Sequence, residues 1–121
     1  MFLVEKSEGE VTAKLKPWRQ LLLDGANEIE KRGHAKGIEY NAKTGGVCLM
    51  GAVHIALTEE PLYTAALALW FSPLVSEARN QVYYKMRHFL GGRCPVTWNN
   101  APERTASEVT SAMRACARQG I

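Results

Sequence analysis

The sequence predicts a mainly α-helical fold, a single small domain of about five helices around a buried central helix, with one or two short β-strands. Apolar residues recur at the three-to-four-residue spacing of an α-helix along much of the chain, and glycine or proline separates these periodic segments. The length of 121 residues is close to the commonest domain size and sufficient for one hydrophobic core. We therefore treat residues 1–121 as one domain.

The composition is that of a soluble globular protein, with 46% apolar and 22% charged residues, which excludes global disorder. The net charge of +3 favours an acidic partner but is too small for the concentrated basic surface of a nucleic-acid-binding protein. No apolar run reaches the ~18 residues that span a bilayer, and Glu5 stands where the apolar core of a signal peptide would continue. The sequence thus predicts a cytoplasmic protein with no membrane contact.

The first half of the chain predicts two helices joined by a loop. Residues 1–16 fit either a short hairpin or a flexible arm. Residues 17–32 are predicted as a helix, because Pro17 suits a first helical turn and an apolar stripe from Trp18 to Ile29 follows. The glycine-rich residues 34–46 predict a loop with a short extended piece at 38–40. Residues 47–57 are apolar on every side except at His54, which predicts the buried central helix.

The second half predicts three further helices and a strand. Residues 62–71 are predicted as a short helix, because they are rich in alanine and leucine. From Pro73 onward, Val75, Val82 and Met86 lie on one helical face until Gly91-Gly92 ends the helix. Residues 94–98 are predicted as a short strand. Residues 105–118 are predicted as the last helix, in which Thr105 and Glu108 have the spacing of a capping box.

Three stretches carry a family resemblance: Gly33-His34-Ala35-Lys36-Gly37, Cys48-Leu49-Met50-Gly51-Ala52 and Trp98-Asn99-Asn100-Ala101-Pro102-Glu103-Arg104-Thr105. They resemble the motifs G-W-x-x-G, C-x-x-G-A and W-N-D-x-P-G-R-T of a family of small uncharacterised proteins of actinobacteria and their phages. His34, Asn100 and Glu103 depart from the family's Trp, Asp and Gly. The resemblance implies a phage-encoded member and no particular activity, because the family has none established.

Cys48 is the strongest enzymatic candidate, since it follows two glycines and precedes a predicted helix whose N–H groups and dipole lower a thiol pKa. With His34 or His88 as base and Asn99 or Asn100 as orienting residue, it would form a Cys-His-Asn set. His54 lies six residues on, about 240° around the helix, and so points away from Cys48. The alternative, which we favour, is a buried structural cysteine packed beneath Gly51.

The predicted ligand- or partner-binding residues are Arg104, Asn99, Asn100, His34 and Trp98. The guanidinium of Arg104 is planar, presents several N–H donors and lies just before a predicted helix N-terminus. This arrangement suits the binding of an anion. In the structural alternative, Trp98 belongs to the core, the asparagines build the turn, and Arg104 pairs with Glu103 or Glu108. The basic stretch 83–93, with its two tyrosines, fits either a partner-binding face or the solvated side of a helix.

These observations predict a non-enzymatic protein that binds a host protein or a small anionic ligand, with no catalytic residues; the alternative is a Cys48-dependent hydrolase or transferase. We expect no cofactor and no metal, since the histidines lack ligand spacing and the three cysteines contain no C-x-x-C pair. Nucleic acid is disfavoured as a partner. The sequence does not determine the oligomeric state, although a homodimer is compatible with it.

Overall fold

A computed structural model describes residues 16–59 and 73–119 of the chain. The described residues contain five helices: α1 (Trp18–Arg32), α2 (Leu49–Thr58), α3 (Pro73–Phe89), α4 (Pro95–Asn100) and α5 (Ala106–Arg118). The predicted mainly α-helical class is confirmed. The predicted arm over residues 1–15 and the predicted helix over 62–71 lie outside the described residues.

Helix α2 forms the centre of the molecule. Every residue from 49 to 57 is buried, and α2 packs against α1, α3 and α4. Because this segment is apolar almost all round, it is stable only where other elements cover all its sides. The prediction of a buried central helix is confirmed, although the helix begins at Leu49 and not at residue 47. Cys48 is its N-cap residue.

Helix α1 packs against both α2 and α5. Its buried residues include Leu21, Leu22, Ala26 and Ile29, which form the predicted stripe. Gly25 lies within this stripe and leaves room for Met113 of α5, since a Cβ there would lie 2.9 Å from the Met113 methyl carbon. Glycine weakens a helix by about 1 kcal/mol relative to alanine, so its place in α1 reflects packing. Pro17 is the N-cap residue and not part of the first turn.

Helices α3 and α5 follow their predicted patterns. The buried residues of α3 are Val75, Val82 and Met86. Gly91 and Gly92, with φ of 70° and 94°, take the left-handed conformation that ends helices. Thr105 and Glu108 form the predicted capping box, in which each side chain accepts a hydrogen bond from the other residue's backbone N–H.

The predicted strand over residues 94–98 is wrong, because these residues belong largely to helix α4. Pro95 occupies an initial helical position, where its fixed φ favours the helix, and the Trp98 N–H donates to the Cys94 carbonyl. Val96 and Thr97 favour strands by propensity, but both are exposed on the helix surface. Asn99 and Asn100, which the structural alternative assigns to a turn, belong to α4, and residues 101–104 connect this helix to the N-cap of α5.

The described residues contain no β-sheet, so the one or two predicted strands are not observed. Val47 instead forms two isolated bridges, a parallel one with His34 and an antiparallel one with Tyr40. Gly37, with φ of 78°, lies in the loop between these two residues. The loop therefore contacts Val47 at two points, and neither contact extends into a strand. This places the 34–40 loop over the beginning of α2.

Candidate functional site

Asn99 is the polar centre of the region where the three motif stretches meet. It belongs to α4 and is 0% exposed. Its Oδ1 accepts from the Leu49 N–H at 3.1 Å and lies 2.8 Å from His34 Nε2. Its Nδ2 donates to the Ala35 carbonyl at 3.1 Å and to Asn100 Oδ1 at 2.9 Å. The donors and acceptors of this amide are thus all engaged within the protein.

His34 and Asn100 complete this network from the 34–40 loop and from α4. Because Asn99 Oδ1 is an acceptor, His34 Nε2 carries the hydrogen and donates it. Asn100 Oδ1 also accepts from the Gly37 N–H at 2.9 Å. Lys36 Nζ donates to the carbonyls of residues 101 and 102, at 2.8 and 2.9 Å. The first and third motif stretches therefore hold each other in place.

Cys48 is buried at 5% exposure, and its Sγ accepts from the Gly51 N–H at 3.4 Å. Burial raises the pKa of its thiol, an effect larger than the lowering by the N–H groups at the helix start, and nearby Glu39 raises it further. The expectation that the helix start lowers the pKa of the Cys48 thiol is therefore wrong. His34 is bonded to Asn99, while Sγ is bonded to Gly51. The histidine and asparagine of the alternative catalytic set are in contact with each other, but neither is hydrogen-bonded to the cysteine thiol.

Gly51 has a steric role in the second motif stretch. A Cβ at this position would collide with the backbone carbonyl of Glu39, which also accepts a hydrogen bond from the Cys48 N–H. The 34–40 loop thus lies directly on the first turn of α2. A glycine is required here because backbone occupies the space of a side chain.

His54 belongs to a partly buried ionisable cluster that sequence reasoning missed. Arg79 from α3 donates to Glu39 Oε1 at 3.1 Å and Oε2 at 2.7 Å, and its Nη1 lies 3.0 Å from His54 Nδ1. His54 is 0% exposed, and burial, reinforced by the Arg79 charge, lowers its pKa to about 4. The imidazole is neutral at physiological pH and accepts from the guanidinium. No sequence motif links residues 39, 54 and 79.

Cys94 is a second residue that the sequence reasoning missed. Its Sγ accepts from the Tyr83 hydroxyl at 3.4 Å, and this bond, together with the Thr97 N–H, lowers the thiol pKa to about 7. The group is half-buried and precedes Pro95 at the start of α4. The Cys-Pro pair, with proline at a first helical position, is the sequence signal that identifies Cys94 as an N-cap residue.

Arg104 and Trp98 connect α4 to α5. The guanidinium carbon lies 4.2 Å from the Trp98 ring centroid, and Nε donates to the Trp98 carbonyl at 3.0 Å. Nη1 lies 3.8 Å from Glu108 Oε1, and the Arg104 side chain is 17% exposed. Trp98 is only partly buried and packs against the core. These are the contacts that the structural alternative describes, with Glu108 as the acidic partner.

The three motif stretches surround a surface cleft of about 210 Å³, which we call the motif cleft. Its lining residues are Gly37, Ile38, Glu39, Cys48, Met50, Val96 and Asn100. Ile38 and Val96 are 50% and 39% exposed. Cys48 and Asn100 thus share one cleft as the motifs suggest, whereas Arg104 is not among its lining residues.

Among the described residues, no group of three or more His, Cys, Asp or Glu side chains is arranged to hold a metal ion. None of the helices formed by these residues is long and apolar enough to cross a membrane.

The fold and the cleft define a small helical protein in which three separated motif stretches assemble one surface feature. Residues 14–119 match the model of a family of unknown function (DUF6197), and the chain belongs to this family. No curated protein and no solved structure matches the chain. The predicted membership of an uncharacterised family is confirmed, while the actinobacterial and phage origin and the family motifs stay predictions.

Proposed function

We propose that this protein is a non-enzymatic binding protein, encoded by an actinobacterial phage, that occupies the surface of a host protein in the host cytoplasm. The observation that carries the proposal is the motif cleft. The motif stretches that resemble a family pattern meet around it, and the apolar side chains of Ile38 and Val96 are exposed among its lining residues. Exposed apolar side chains grouped around a concave surface are typical of protein interaction sites.

The polar groups around the cleft support binding over catalysis. The Asn99 amide is fully engaged inside the protein. The Cys48 thiol has a raised pKa, so it is a poor nucleophile near neutral pH. What the cleft offers a partner is shape and apolar surface, because the Glu39 carboxylate already pairs with Arg79 and Asn100 Oδ1 already accepts from Gly37 and Asn99.

The test is capture of a host protein from lysate by the tagged chain, followed by mass spectrometry. Ile38→Asp and Val96→Asp place a charge among the cleft's exposed apolar groups, and each should abolish capture of the protein that the unmodified chain retains. Tyr84→Asp is the matched control, because Tyr84 is 60% exposed and does not line the cleft. Capture that survives both cleft variants but is lost in the control would place the interaction elsewhere.

A small anionic ligand is the other partner that the sequence predicts, with Arg104 as its expected contact. The contacts of Arg104 with Trp98 and Glu108 favour the protein partner, because the guanidinium would have to exchange an existing carboxylate for the ligand. A saturable, Arg104-dependent response to phosphate or acetate in calorimetry would reverse this preference.

One observation favours the alternative of a Cys48-dependent hydrolase or transferase: the cysteine lines the motif cleft, and the next residue, Leu49, donates its N–H to Asn99 of the His34–Asn99 pair. Cys48→Ala distinguishes the two functions. We expect the variant to keep partner capture and any growth inhibition of the host. Complete loss of the biological effect, with an unchanged melting temperature, would instead support catalysis.

A further inference from the structure

A second groove, of about 400 Å³, lies between the start of α1, the middle of α3 and the end of α5. We call it the α3 groove. Its walls include Trp18, Tyr84, Lys85, His88 and Cys116, none of which lines the motif cleft. Its volume falls within the range of about 300–1,000 Å³ that is common for small-molecule sites.

One face of α3 supplies most of the groove. Gln81, Tyr84, Lys85 and His88 are spaced three and four residues apart, so they form a continuous stripe along the helix. The buried face of the same helix carries residues such as Val82. The groove-lining stripe is therefore the side of α3 that the core does not use.

The groove combines aromatic walls with an apolar floor. Tyr84 is 60% exposed, and Trp18 is partly buried at the first position of α1. Cys116 is 2% exposed, and burial raises its thiol pKa, so the floor is uncharged near neutral pH. An aromatic ring or an alkyl chain placed here would be removed from water on two sides.

The charged groups of the groove can carry only positive charge. Lys85 Nζ lies 5.0 Å from the Trp18 ring centroid, and within the described residues it has no hydrogen bond or ion pair. His88 is exposed at the end of the stripe. None of the described residues that line the groove carries a carboxylate. Glu77, one turn before Gln81, lines the neighbouring groove and not this one.

We infer that the α3 groove binds a small amphipathic carboxylate. The apolar body of the ligand lies against Trp18 and Tyr84, and its carboxylate accepts hydrogen bonds from Lys85 and His88. Charge complementarity determines the sign of the ligand's charge, because the described lining residues provide cationic donors and no carboxylate acceptor. This inference is independent of partner binding at the motif cleft.

The test compares decanoate with decylamine, two probes of equal chain length and opposite charge, both below the concentration of micelle formation. Titration calorimetry should show saturable binding of decanoate and at least tenfold weaker binding of decylamine. Amide chemical shifts should change for residues 81–88 and for the ends of α1 and α5 near Trp18 and Cys116. Equal binding of both probes, no saturable binding, or shifts confined to other regions would overturn the inference.

Variants separate this site from general surface charge. Lys85→Gln should weaken decanoate binding about tenfold, a change of about 1.4 kcal/mol. Lys43→Gln removes the same charge from an exposed loop position and should leave the affinity unchanged. Glu77→Gln removes the nearby negative charge and should strengthen binding. Circular dichroism checks that each variant is folded, and equal effects of the two lysine variants would contradict the assignment.

Discussion

At the scale of single residues, Asn99 links the three motif stretches, because its side chain is hydrogen-bonded to residues of the other two. The sequence suggested it as a turn former, a ligand contact or the third member of a catalytic set. Its hydrogen bonds to residues 34, 35 and 49 cross 50 to 65 positions of the chain. No local sequence pattern encodes such contacts, which is why sequence reasoning found the residue but not its role.

We expect Asn99→Ala to lower the free energy of unfolding by roughly 2–4 kcal/mol, because it leaves the buried Leu49 N–H and Ala35 carbonyl without their partner. Urea denaturation followed by circular dichroism measures the change. Asn80→Ala, at an exposed position of α3, is the control and should stay within about 0.5 kcal/mol of the unmodified protein. Similar values for both variants would contradict the role assigned to Asn99.

Gly51 and Gly25 are both buried glycines in helices, but alanine should affect them differently. At Gly51 a Cβ meets the rigid backbone of Glu39, whereas at Gly25 its nearest neighbour is the flexible end of Met113, at 2.9 Å. Gly51→Ala should destabilise by about 1–3 kcal/mol through overpacking. Gly25→Ala should cost less, since Met113 can move and alanine favours the helix. Equal losses in denaturation experiments would refute this distinction.

His54 should make stability depend on pH. Its pKa is about 4 in the folded protein and 6.5 in the unfolded chain, so between these values only the unfolded chain takes up the proton. The contribution is complete above pH 6.5 and is lost as pH falls toward 4, a total of roughly 3 kcal/mol.

Denaturation between pH 5 and 6.5 measures this effect largely above the range in which carboxylates titrate. His54→Gln should flatten the pH dependence of stability in that window. His88→Gln alters an exposed histidine and should leave the slope unchanged. An unchanged slope in the His54 variant would show that another group is responsible.

At the scale of secondary-structure elements, the spacing of apolar residues identified the helices that bury a long stripe of apolar side chains. The stripe of α1 and that of α3 could be read directly from apolar spacing. Helix α4 could not, because six residues are too few to show a period and Val96-Thr97 favours a strand locally. Its start is favoured by Pro95, and Asn99 anchors it to α2 and to the 34–40 loop.

Helix α5 allows a test of local capping. Thr105→Ala removes the hydroxyl that accepts from the Glu108 N–H and should cost about 1 kcal/mol. Ser111→Ala, at an exposed interior position of the same helix, is the control and should be near neutral. Thermal melts of the two variants should therefore differ by several degrees. Identical melting temperatures would show that the box contributes little.

At the scale of the whole molecule, the sequence predicted the mainly α-helical class and the buried central helix. It did not predict the bridges of Val47 or the cluster of Glu39, His54 and Arg79. The predicted binding residues Arg104 and Trp98 pack against each other beside the cleft and not within it. Apolar spacing in the sequence indicates the helices, whereas the hydrogen-bond partner of each polar side chain depends on how distant segments pack.

The network around Asn99 also has a consequence for the order of folding. Helices as short as α4 do not persist in isolation, and contacts between residues far apart in sequence form late. The Leu49 N–H, which donates to Asn99 and not to a backbone carbonyl, should therefore exchange with deuterium through local undocking of α4.

We expect native-state hydrogen exchange to show lower protection for Leu49 than for Val53, which lies deep within α2. Equal protection of the two amides would mean that α4 and α2 open together. If they open separately, the motif cleft opens while the core around α2 stays folded. A partner that binds there would then slow hydrogen exchange at Leu49 while leaving exchange in the core unaltered.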